Sequence, residues 1–69
     1  MIVYTRKGCA PCRTLRYWLS KKQIKYTEID LDLNPHLDFL APTVKIGEIV
    51  IRGLNLPLIA STLERAGTN

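Results

Sequence analysis

The chain has 69 residues, 46% of them hydrophobic and 23% charged, which is enough for one small domain over 1–69 and too little for a second, since domains commonly run to about 100–150 residues. A chain of this size buries only about 60% of the surface it exposes when unfolded, so every apolar element has to pack. No apolar run reaches the ~18 residues of a bilayer crossing, and the opening MIVYTRKG reaches charge too early for a secretory signal. The expected protein is a soluble, cytoplasmic monomer with no membrane partner. Ten Lys and Arg against six Asp and Glu give +4; the basic residues are scattered and the aromatics few, which points to a solvated surface and no nucleic-acid partner.

In chain order, Met1 to Thr5 is a short β-prone run broken by Arg6-Lys-Gly8, a strand entering a loop. From Ala10 to Gln23 the pattern is helical. Cys12, Leu15, Trp18 and Leu19 form one stripe, with Arg13, Arg16, Lys21 and Lys22 mostly off it. Pro11 suits the first turn, where a missing N–H costs nothing. Lys25 to Leu31 alternates as a second strand, placing Tyr26, Glu28 and Asp30 on one side and Thr27, Ile29 and Leu31 on the other. Asn34-Pro35 signals a turn or helix start, and the stretch to Leu40 has room for one or two helical turns, with Leu37, Phe39 and Leu40 as candidate core. Thr43–Ile46, Gly47-Glu48 and Ile49–Arg52 read as a hairpin. Gly53 ends it. Asn55 is the expected N-cap of a last helix with Leu56, Ile59, Leu63 and Ala66 near one face and Gly67 as its stop. The order is β-α-β-(short α)-β-β-α.

Cys9 and Cys12 are the two cysteines. A disulfide between them closes too small a loop to remove much entropy from the unfolded chain, so it is a poor structural staple. The pair reads better as redox chemistry or as half of a metal site. Ahead of a helix, free backbone N–H groups and the dipole favour an anion, and Arg6, Lys7 and Arg13 add positive charge. Cys9 is thus the expected nucleophile. Cys12, one turn further in, is placed to resolve the mixed disulfide, and Pro11 restricts the backbone between them. Tetrahedral zinc wants four ligands, and beyond the thiols the chain offers His36 and carboxylates such as Asp38; His36 follows a turn and is expected to face solvent, so no metal site is assigned.

A first strand, a basic loop, Cys9-Ala10-Pro11-Cys12, an amphipathic helix, the Lys-Tyr-Thr-Glu-Ile-Asp strand and Ala41-Pro42-Thr43 opening a hairpin together resemble the thioredoxin superfamily, specifically glutaredoxins and the glutaredoxin-like NrdH redoxins. The resemblance spans nearly the whole chain. It implies an α/β fold, a minimal thioredoxin/glutaredoxin architecture with a four-stranded mixed sheet. It further implies a cis Ala41–Pro42 bond facing the cysteines and pairing of the Ala41 backbone with an extended substrate, with Thr43, Gly53 and Leu54 in the substrate-binding region. Cis bonds are nearly confined to X-Pro, and proline is tolerated at a strand start. Tyr4, ending the first strand near the cysteines, is a candidate substrate contact and a candidate packing residue.

Gly53-Leu54-Asn55-Leu56-Pro57 lacks the acids of the stretch with which glutaredoxins bind glutathione, and Gly53-Leu54 looks more like the Gly-Phe of NrdH redoxins. Those take electrons from thioredoxin reductase and pass them to ribonucleotide reductase. The expected activity is therefore dithiol–disulfide exchange on a disulfide-containing protein, possible acceptors including ribonucleotide reductase. No cofactor is bound, and NADPH through a thioredoxin-reductase-type enzyme is favoured over glutathione as the electron source. The alternative is a C-x-x-C metal module: a Cu(I) chaperone, which would have Met where Lys7 stands and would end in a strand, or an iron–sulfur carrier. The interval from Asp30 to Pro42 is several residues shorter than in typical relatives, which predicts a truncated second helix.

Overall fold

The computed structural model describes residues 1–67. Strand β1, Ile2–Thr5, runs into helix α1, Ala10–Lys21, which returns the chain for β2, Thr27–Asp30. A 3-10 turn at Leu31–Leu33 and an irregular segment lead to the hairpin of β3, Thr43–Ile46, and β4, Ile49–Arg52, and α2, Leu56–Arg65, follows. The sheet order is β2-β1-β3-β4. β1 pairs with β2 in parallel, the arrangement that needs the α1 crossover, and with β3 antiparallel.

Cross-strand partners share a face, and Val3, Val44 and Ile51 form one such row. With Ile46 they join Leu15 and Leu19 of α1 and Ile59 and Leu63 of α2 in a single buried core, against which Trp18, Tyr26 and Leu56 pack. Both helices therefore cover the same face of the sheet. The stripe expected on α1 is borne out, with Cys12, Leu15 and Leu19 buried and Tyr17 left outside. On α2 the buried set is Ile59, Thr62 and Leu63; Ala66 is exposed at the C-cap instead of joining the core. Thr62 can be buried because its hydroxyl donates to the Leu58 carbonyl at 2.7 Å.

The ends of these elements follow from local chemistry. Asn55 caps α2 as expected, its side chain accepting from the Leu58 N–H at 3.2 Å. α1 stops at Lys21, short of the expected Gln23, because Gln23 adopts a left-handed φ of 57°. Gln23 N–H then donates to the Ser20 carbonyl and Ile24 N–H to that of Leu19, while Ile24 and Leu19 meet in the core. This is the Schellman stop, usually built with glycine. In the hairpin turn positive φ is confined to Gly47 (61°), as a two-residue turn with glycine at its first central position requires.

Between β2 and β3 the expected helical turn after Asn34 is absent. Its place is taken by the 3-10 turn before Asn34, where Asp30 accepts from the Asp32 N–H at 2.9 Å and so caps three residues only. Leu31 closes this turn into the interior, but Leu40 is 64% exposed and is not core. Phe39 packs edge-on to Tyr4 with ring centroids 4.7 Å apart. Tyr4 lies on the face opposite the helices, where Lys45, Val50 and Arg52 are exposed. β2 is likewise less buried than its alternation suggests, because it is an edge strand: Tyr26 reaches the core, whereas Thr27 and Glu28 are exposed.

Because Gln23 holds a conformation that disfavours a Cβ, Gln23→Gly is expected to raise stability by about 0.5–1 kcal/mol, read as a higher urea midpoint at unchanged slope.

Candidate redox site

The C-terminal end of β1 gathers the site. Thr43 is paired with Tyr4 on one side and Arg52 on the other, so the Ala41–Thr43 segment and Gly53 lie at the end where β1 runs into the Arg6–Cys9 loop. Gly8, at φ 69°, turns the loop into α1.

Cys9 is the N-cap of α1, with extended backbone angles (φ −97°, ψ 104°). Its Sγ accepts the Cys12 N–H at 3.2 Å, while its carbonyl accepts from Arg13 at 3.3 Å. The first-turn amides have no partner inside the helix, and Pro11 removes one of them, so the Cys12 amide is directed at the sulfur. The two sulfurs are disulfide-bonded, with Cα atoms 5.2 Å apart. Cys12 is 0% exposed, whereas Cys9 is half-buried and Ala10 and Pro11 lie open. The sulfur that attacks in the expected mechanism is thus the accessible one.

The loop before Cys9 is pinned by Asp32, which sequence reasoning did not single out. One carboxylate oxygen accepts the Lys7 N–H at 3.0 Å and the other takes the Arg6 guanidinium at 3.2 Å. The Lys7 hydrogen bond, aided by Arg6 and opposed by slight desolvation, holds the Asp32 carboxyl below the ordinary range. Arg6 therefore shares its charge with Asp32, while the Lys7 side chain and Arg13 are exposed with no ion pair among the described residues. The available signal was Asp30-Leu-Asp32 at a strand end, a spacing suited to local side-chain capture of backbone N–H groups. A second carboxylate, Glu28, accepts from Thr5 Oγ1 at 2.7 Å and Arg16 Nε at 3.0 Å, tying β1, β2 and α1 together. Burial, then the charge of Glu28, raise the Tyr26 phenol.

The Ala41–Pro42 peptide is cis. Pro42 is buried and its carbonyl accepts the Gly53 N–H at 2.8 Å, fastening the start of β3 to the end of β4. The Thr43 hydroxyl is directed inward to the Leu40 carbonyl. Ala41 and Gly53 are half-buried, Leu54 is exposed, and Tyr4, 9% exposed, is a packing partner of Phe39. His36 is exposed, and no cluster of three or more His, Cys, Asp or Glu suited to a metal ion occurs among the described residues. Among the described residues no helix is long and apolar enough to cross a membrane.

Asp32 favours the folded loop in its charged form. Its contacts are complete above the ordinary carboxyl value of about 3.9 and are lost as pH falls through the lower folded value. In a pH series followed by NMR, the Lys7 amide is expected to shift with a midpoint below that of free aspartate. Asp32→Asn should abolish that transition and speed exchange of the same amide; an unchanged profile would remove Asp32 as the anchor.

Known proteins resemble this chain in sequence and in fold. Residues 1–48 match the family model for glutaredoxin. The chain is 31% identical over 45 residues to the glutaredoxin-like protein NrdH of Lactococcus lactis subsp. cremoris (strain MG1363) and, equally, to that of subsp. lactis (strain IL1403), covering 65% of this chain and 60% of each relative. The match thus spans about 60% of the length of those curated relatives. Among solved structures, the thioredoxin-like protein BC3987 superposes with a TM-score of 0.75 at 25% identity, covering 87% of this chain and 94% of that one. A single-residue mutant of it gives 0.77 at 24%, with 90% and 96% covered. The fold is thioredoxin-like, and the chain belongs to the glutaredoxin family.

Proposed function

We propose that the protein is a dithiol–disulfide electron carrier that reduces protein disulfides through Cys9. The carrying observation is the Cys9 Sγ at the N-cap of α1, accepting the Cys12 N–H and more accessible than the buried Cys12. In the reduced protein the same amide and the helix N-terminus favour the thiolate form of Cys9. That thiolate attacks one sulfur of a substrate disulfide. The substrate S–S bond breaks, a Cys9–substrate bond forms, and the other substrate sulfur leaves as thiolate and takes a proton from water. Cys12, deprotonated, then attacks Cys9 Sγ; the second substrate sulfur leaves, and the Cys9–Cys12 disulfide carries away the two electrons' worth of oxidation.

In this reading Lys7 and Arg13 contribute positive charge, with Arg6 divided between the site and Asp32, and Pro11 keeps the inter-cysteine backbone rigid. The half-buried Ala41 backbone, fixed by Pro42 and Thr43, pairs with an extended substrate, with Gly53 and Leu54 beside it and Tyr4 as support beneath. The physiological acceptor proposed is a ribonucleotide reductase, and the electron source a thioredoxin-reductase-type enzyme drawing on NADPH, in the cytoplasm. Support comes from the similarity to NrdH proteins and from the absence of acids in Gly53–Pro57, where glutathione-using relatives carry them. No bound cofactor takes part.

Turnover of a protein disulfide should be supported by NADPH with thioredoxin reductase and only weakly by glutathione with glutathione reductase. Cys9→Ser is expected to abolish it, lowering the rate by at least about a hundredfold if Cys9 supplies the nucleophile. Cys12→Ser should accumulate a mixed disulfide visible by mass spectrometry. Activity with glutathione alone would overturn the electron source, and identical behaviour of the two variants would overturn the division of labour between the cysteines.

A further inference from the structure

Charge is divided unevenly along this chain. Residues 1–25 hold seven of the ten basic side chains and none of the six acids. Arg6 and Arg16 are paired with Asp32 and Glu28, but Arg13, Lys21 and Lys22 make no ion pair among the described residues. Spacing by four places Arg13, Tyr17 and Lys21 on one line of α1, and the same step backwards reaches Cys9. Tyr17 is 66% exposed, the largest aromatic surface left outside the core, and Arg13 and Lys21 are exposed beside it. The Lys21 ammonium lies 5.8 Å from the Tyr17 ring centroid and that of Lys22 5.8 Å from Trp18, which lays both lysines along the helix.

Tyrosine and arginine are residue types enriched at protein interfaces, and here they stand in the open with a lysine that adds charge of the same sign at the rim. From Cys9 to Lys21 the line is about 18 Å long. An extended peptide covers that distance in about six residues.

We propose that the outer face of α1 is a docking surface for an acidic segment of the disulfide-bearing partner protein, laid along Arg13, Tyr17 and Lys21 with the partner's disulfide at Cys9. The proposal rests on the thiol–disulfide reading and specifies the partner that this reading leaves open. Charge complementarity selects an anionic occupant. The sulfur at the head of the line selects a polypeptide over a nucleic acid, because only the former brings a disulfide to Cys9.

Two synthetic peptides test this, each with an internal disulfide followed by six Glu or by six Gln. Single-turnover reduction by the fully reduced protein is measured at low and at near-physiological salt. At low salt the Glu peptide is expected to react about tenfold faster than the Gln peptide, and the ratio should fall towards one as salt is raised. In the Lys21→Glu/Lys22→Glu variant the ratio should collapse or invert. In Lys45→Glu/Arg65→Glu, which lowers net charge equally on other surfaces, it should persist. Because the Gln peptide is an internal reference, a variant that folds poorly lowers both rates and leaves the ratio readable.

A wild-type ratio of one at low salt overturns the proposal, as does equal loss in both charge-reversed variants, which would reduce the effect to net charge. If oligouridylate binding is what Lys21→Glu/Lys22→Glu removes while the peptide ratio stands at one, the surface faces nucleic acid and the proposal fails. The thiol–disulfide reading is checked separately with the wild-type protein and hydroxyethyl disulfide, a small uncharged substrate. If that is not reduced, the fault lies with the reading itself and not with the docking surface.

Discussion

Strand β1 is hydrogen-bonded along both edges, to β2 and to β3, and its last three residues, Val3, Tyr4 and Thr5, are buried. Such a strand cannot shift its register without turning buried side chains to the wrong face. The chain leaves it at a fixed point, and Asp32, delivered by the neighbouring strand's own continuation, grips the next two residues. Only three residues then separate Thr5 from Cys9. The sulfur's position is therefore inherited from the sheet.

That inheritance explains the spacing of the cysteines. An N-cap side chain accepts from the amide two or three residues on, and with Cys9 at the cap the third residue is Cys12. Pro11, between them, has no amide to compete. Two intervening residues thus let one backbone N–H serve the outer sulfur while the inner side chain points into the core, where Cys12 is fully buried. The arrangement separates an accessible sulfur from a sheltered one without any further side chain.

Much of this could be read from the residues, and the failures have physical causes. The stripe of α1, the Gly47 hairpin and the Asn55 cap depend on local periodicity and local hydrogen bonds, and all three stand as expected. The cis bond at Ala41–Pro42 was accessible only through family resemblance, because nothing local distinguishes it from a trans X-Pro turn. Asp32 was missed because its partners, Arg6 and the Lys7 amide, lie about 25 residues away in sequence and meet it only through the parallel pairing of β1 with β2. The residue type of Gln23 gives no sign of a left-handed φ, which accompanies the hydrogen bond from the Ile24 N–H to the Leu19 carbonyl that ends the helix. Leu40 is a core candidate by hydrophobicity only, and it is exposed. With no helix formed after Asn34, the segment has no periodicity to turn it inward, and Phe39 alone makes an aromatic contact on the far face of the sheet, with Tyr4. The short Asp30–Pro42 interval accordingly leaves Lys45, Val50 and Arg52 uncovered on that face, which is remote from the core that joins both helices to the sheet.

The basic residues of α1 can be divided by what the helix itself requires. Lys21 stands in the last turn and Lys22 is the C-cap, where cations complement the negative end of the dipole and need no other justification. Arg16 is held by Glu28. Arg13 has neither reason: it lies one turn from the N-terminus, where the dipole disfavours a cation, no acid occupies the first turn, and it makes no ion pair among the described residues. A charge that the helix would rather not have, one turn from Cys9 and on the same line, is what an anion arriving from outside the helix would offset. In the proposed mechanism the Cys9 thiolate of the reduced protein is part of that anion. Tyr17, exposed one turn further along the same line, is a neutral contact surface that Arg13 and the dipole-favoured Lys21 flank, and a negatively charged segment on the molecule delivering the disulfide would supply the remainder of that anion.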